Sequence, residues 1–97
     1  MIIQKKQPDE ILPIIFDFAE VLGTGDTITA KTISALKISD TSDATSTIVH
    51  DSDIVGNTVV VAAKAGTDLE DYKITCLVDT TLLYKYEKDV RLVVREI

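Results

Sequence analysis

The sequence predicts an all-β fold: an immunoglobulin-like antiparallel β-sandwich of about seven strands, forming a single domain over residues 1–97. Three observations carry this. Apolar residues alternate at period two in several short stretches, as half-buried strands require. The apolar residues are chiefly Val, Ile, Leu and Ala, and Thr is frequent, so β-branched side chains that favour strands are abundant. Turn residues interrupt the chain at short intervals, and 97 residues is about the size of one seven-stranded sandwich.

The first element is expected over 1–7, an edge strand that ends before Pro8. Residues 11–18 alternate clearly. Leu12, Ile14, Phe16 and Phe18 share one face, and Ile11, Pro13, Ile15 and Asp17 the other. Pro13 has no N–H to give a ladder, so this strand belongs at an edge or carries a bulge. A helix over 9–22 is the rival, since its apolar positions fit a 3.6 period in part. The Ile14-Ile15 pair, the internal Pro13 and the alternation around Phe16 favour strand.

Gly23, Thr24, Gly25 and Asp26 form a turn. Residues 27–36 read as a Thr/Ile strand, with a bulge or bend between Ile28 and Ile33, whose parities differ. The stretch 39–46 is rich in Ser, Thr and Asp and reads as a loop or weak edge strand. Residues 47–49 are expected as a short strand and 51–57 as a turn region. The run Val59-Val60-Val61 within 58–64 suits a strand that is central or covered on both faces. Residues 65–68 turn. In 72–80, Tyr72, Ile74, Cys76 and Val78 alternate with Lys73, Thr75, Leu77 and Asp79. The last segment, 84–95, puts Tyr84, Tyr86, Val90, Leu92 and Val94 on one face. Lys88 interrupts that face and must snorkel or sit at a bulge.

The formal net charge of −6 argues against nucleic acid as a partner, because phosphate binding needs clustered Lys and Arg. The only basic pair is Lys5-Lys6, and an anionic membrane is disfavoured for the same reason. The N-terminal residues lack the apolar core and cleavage site of a signal peptide, and no apolar run approaches the ~18 residues of a membrane span. The chain is expected to be cytosolic at synthesis. A Met followed at once by a strand-like segment speaks against excision from a longer chain. Cys76 is alone, so no intramolecular disulfide forms, and it is expected as a small buried hydrophobe.

Catalytic chemistry finds little support. His50 is the one histidine, sits in an expected surface loop, and has no sign of Cys76 beside it. One His and one Cys are too few for zinc. Asp51, Asp53 and Gly56 match the first, third and sixth positions of a calcium loop. Val55 and Ala62 then stand at the fifth and twelfth, so calcium is expected to bind weakly or not at all. No carboxylate pair is marked out for glycoside hydrolysis, and there is no Trp for a sugar to stack on. Gly23-Thr24-Gly25 is too short for a phosphate loop. No cofactor, metal or catalytic residue is expected.

The residues singled out are structural: Tyr72, Phe16, Phe18, Cys76, Gly25 and Asp26. Tyr72 opens its strand after a turn, where an immunoglobulin-like sandwich places a tyrosine that bonds backbone at the preceding corner. It stands four residues before Cys76, where the usual spacing is two. Tyr84 and Tyr86 are either core aromatics or interface anchors.

The order of these residues resembles a known family. Pro8-Asp9-Glu10-Ile11-Leu12, Phe16-Asp17-Phe18, Leu22 and Gly25-Asp26-Thr27-Ile28 resemble the opening of the phage fiber-tail adaptor-like proteins. Ala65-Gly66-Thr67, Tyr72-Lys73-Ile74 and Leu92-Val93-Val94-Arg95-Glu96 continue the likeness over nearly the whole chain. Ile33 stands where such proteins usually have Trp. Thr81-Leu82-Leu83 replaces a Gly turn, and a Pro-Gly turn is missing. The resemblance implies an immunoglobulin-like fold and a non-enzymatic virion-structural role. The partners would be other phage tail or fibre proteins, with at most a weak homo-oligomer, no nucleic acid and no membrane. The location would be the virion tail, after assembly in the host cytoplasm. The alternative is an adhesive module of a bacterial surface protein.

Overall fold

Seven strands form where β-branched and aromatic residues alternate with polar ones. They are β1 (Ile2–Lys6), β2 (Leu12–Asp17), β3 (Ile28–Lys37), β4 (Val49–Val55), β5 (Thr58–Ala63), β6 (Asp71–Thr80) and β7 (Lys85–Val94). One helical turn, α1 (Thr45–Ile48), precedes β4. The structure is a computed structural model describing residues 2–96, so Met1 of the first expected strand lies outside the described residues.

The strands pair into a four-stranded sheet, β1-β7-β6-β3, and a three-stranded sheet, β2-β5-β4. Their facing sides make the core. Ile14, Phe16, Val59, Val61 and Ala63 of the smaller sheet meet Tyr72, Ile74, Cys76, Val78, Val90, Leu92 and Val94 of the larger. Phe18, just past β2, is fully buried beside them. Separating β2, β4 and β5 from β3, β6 and β7 is the immunoglobulin arrangement. The first strand departs from a purely antiparallel sandwich, because β1 runs parallel to β7 at the edge of the larger sheet.

Several local expectations are met. β2 is an edge strand, so Pro13 costs no ladder bond there. The β3 register shifts between Ile28 and Ala30. The β6–β7 register runs without a break past Lys88, so this residue snorkels instead of bulging. Its Nζ lies 5.7 Å from the centre of the Phe18 ring, a cation–π contact over the end of the core.

The segment 39–57 differs from expectation. Thr47 and Ile48 belong to α1, not to a strand. Asp43 Oδ1 accepts from both the N–H and the hydroxyl of Thr45, and Ile48 is drawn fully into the core. A single turn like this is too short to show a helical period. Residues 51–55 are not a turn but most of edge strand β4. Asp51 and Asp53 point outward with Val55, and half-buried Val49, Ser52 and Ile54 mark the inner face. The turn is confined to Gly56 and Asn57. Gly56 has φ +60° at the first central position of a two-residue hairpin, where a primed turn favours glycine.

Candidate docking site

The residues able to do chemistry are kept apart. His50 is exposed on β4, not in a loop, at a register irregularity between Val49 and Asp51. Cys76 lies in β6 of the other sheet with no exposed surface, and burial pushes its thiol up to about 11 despite nearby Lys31. Such a thiol is inert at neutral pH. Asp51 and Asp53, read as the start of a calcium loop, instead lie along a strand. Among the described residues no three His, Cys, Asp or Glu side chains group as metal ligands.

One end of the sandwich is tied together by buried polar groups. The Tyr72 ring is buried, and its hydroxyl accepts from the Thr67 N–H at 3.0 Å. Gly66, with φ +95°, lets the corner close over the core. A Cβ there would lie 2.8 Å from Val94 Cγ2 and 3.5 Å from the Tyr72 ring. Lys6 is 2% exposed, and its ammonium donates to the carbonyls of Gln7 (2.6 Å), Pro8 (3.0 Å) and Ala65 (2.6 Å). Burial pulls its pKa down, opposed by Glu10 and Asp9. Nearby, Asp71 accepts from Arg91, and its Oδ1 sits 2.9 Å from Arg95 Nη2. Burial raises the Asp71 pKa, but the hydrogen bonds and charges of Arg91 and Arg95 outweigh it and hold the carboxyl below its usual range. Sequence reasoning missed Lys6 and Asp71. Lys6 read as half of a basic pair, and nothing local marks Asp71 as the partner of two arginines about twenty residues away.

The opposite end carries an apolar turn on a rigid seat. Gly25 takes φ +81°, which brings Asp26 underneath the β6–β7 turn. Asp26 is buried, and its Oδ1 accepts from the N–H groups of Thr27 (3.0 Å) and Leu82 (3.1 Å). The Thr27 and Thr81 hydroxyls bond at 2.6 Å, and Thr81 N–H donates to Thr27 O at 2.9 Å. Thr80 closes the turn from within, accepting from Leu83 N–H through its carbonyl and from Tyr84 N–H through its hydroxyl. This seat holds Leu82, Leu83 and Tyr84 out in solvent. Leu83 is 91% exposed in the left-handed region, φ +68°. Tyr84 is likewise exposed, while Tyr86, 6.3 Å away by ring centres, packs against the core. Along the outer edge of the larger sheet, β1 exposes Ile2 and Ile3.

Every buried polar group described above therefore serves a corner, a turn or an ion pair. Among the groups that reach solvent are an apolar turn and an apolar strand edge, surfaces of the kind a protein partner can cover. A family model for the podophage GP4 fiber-tail adaptor protein gp77 matches residues 6–95. No curated protein matches the chain.

Proposed function

The chain belongs to the podophage fiber-tail adaptor family, and from that premise we propose that it is a non-enzymatic virion protein that joins tail to fibre through protein–protein contacts. It acts as one sandwich domain in the virion tail, added during assembly in the host cytoplasm. The observation that carries this reading is the family match over residues 6–95, which takes in β2 to β7 whole. The Leu82-Leu83-Tyr84 turn supports it. An apolar projection fixed in advance by Asp26 and Thr27 loses little conformational freedom on docking, which favours affinity. The charge of −6 opposes self-association and binding to nucleic acid or anionic membrane, so the free chain is a monomer or a weak oligomer.

Deleting the gene in the phage or prophage that encodes it tests the proposal. Particles should form with tails but without attached fibres, and purified wild-type virions should contain the chain. Fibre-bearing, infectious particles from the deletion would overturn the role.

A further inference from the structure

The register of the smaller sheet sorts its side chains into an inner and an outer set. On the outer side Ile15 pairs with Val60 and Val60 with Asp53, while Asp17 pairs with Thr58 and Thr58 with Val55. Ile11 has the same parity as Ile15 and extends the face. Ile11, Ile15 and Val55 are each more than half exposed, around a half-buried Val60. Asp17, Asp51 and Asp53 edge this apolar strip. Lys64, one residue past β5, is the one cation with outward parity next to the strip among the described residues.

The Val59-Val60-Val61 run fits this geometry. Three successive β-branched residues characterise a strand covered on both faces. The core covers Val59 and Val61 only, which leaves Val60 facing out. The neighbouring edge of β4 has two of its N–H groups already engaged. With the hairpin closed at Val55 and Thr58, the Ser52 and Ile54 N–H groups point away from β5. They donate instead to Asp51 Oδ1 (2.8 Å) and Asp53 Oδ1 (3.0 Å). This favours the sheet face over its edge as the surface a partner meets.

We infer that the outer face of the β2-β5-β4 sheet docks a different virion protein, through an apolar patch on that protein bordered by Lys or Arg. This rests on the adaptor reading above. The charge of the rim selects the partner. Three carboxylates against one lysine on each copy would meet like charges in a self-complex, whereas a basic rim is attracted.

The test complements a phage lacking the gene with full-length variants and measures copies of the chain per purified particle. Ile15→Glu should lower incorporation at least about tenfold, as expected for a central interface residue. Asp51→Lys with Asp53→Lys should also lower it, and Ser34→Glu, exposed on the larger sheet, should incorporate like wild type. Urea midpoints matching wild type would show that the variants fold. If both face variants incorporate normally, the face assignment is wrong and the adaptor role stands. If the wild-type chain is absent from particles, the adaptor role falls and this inference with it. A micromolar wild-type dimer that Ile15→Glu dissociates would make the face a self-interface and overturn the choice of partner.

Discussion

Single buried polar side chains tie both ends of this molecule. Tyr72 fills the core with its ring and ties the corner with its hydroxyl, so the two contributions separate by mutation. Tyr72→Phe keeps the packing and strands the Thr67 N–H, and should lower unfolding free energy by about 0.5–1.5 kcal/mol. A urea midpoint equal to wild type would show that the hydroxyl contributes nothing. Asp71 makes a pH-dependent contribution. Its folded pKa lies below the unfolded value, so its stabilisation is complete above the ordinary carboxylate range near pH ~4. It is lost as pH falls through the lower folded value. Asp71→Asn should therefore cost about 1–2 kcal/mol at neutral pH, a figure reduced by solvent screening at the two part-exposed arginines. It should also flatten the loss of stability in acid, which chemical unfolding from pH 7 to 2 would show. An equally steep decline in the variant would place the acid sensitivity elsewhere.

Elements with one clean face could be read from the sequence, and elements defined by distant partners could not. In β6 every second residue is buried, and in β2 Ile14 and Phe16 are buried behind a half-buried Leu12, so alternation alone locates both strands and their inner faces. β4 escaped because Asp51, Ser52 and Asp53 stand together in it, a composition that also makes turns. Two N–H groups on its free edge bond to the carboxylates of Asp51 and Asp53, as they would in a turn. The parallel docking of β1 on β7 joins residues nearly ninety positions apart, and five residues of strand do not encode that choice. The same distance hid Lys6, whose partner Ala65 is 59 residues away, whereas Tyr72 and Thr67 are five apart and lie within one local pattern. The corner between β5 and β6 also tests how tightly the elements fit. Gly66→Ala forces a left-handed alanine against Val94, which is fully buried and cannot move aside. It should cost about 1–3 kcal/mol in urea unfolding. A neutral result would mean that the corner relaxes away from β7.

At the scale of the whole molecule, a sandwich 43 Å long offers surfaces that face different ways. The Leu82-Leu83-Tyr84 turn lies at one end, and the Ile15 and Val60 face lies on the flank of the smaller sheet. A molecule that joins two others needs two such surfaces, and both here are set by backbone geometry before any partner arrives. The fold class was legible because alternation and turn spacing act locally. The proposed docking surfaces were not, since an outward apolar residue in a strand looks like an inward one until the sheet order is known. The most direct measurement is a cryo-EM reconstruction of the tail–fibre junction in the intact particle. Density for the seven-stranded sandwich should lie between two different proteins. The β6–β7 turn should be seated in one, and the β2-β5-β4 face covered by a basic-rimmed patch of the other. A sandwich that touches a single neighbour, or is missing from the junction, would contradict this arrangement.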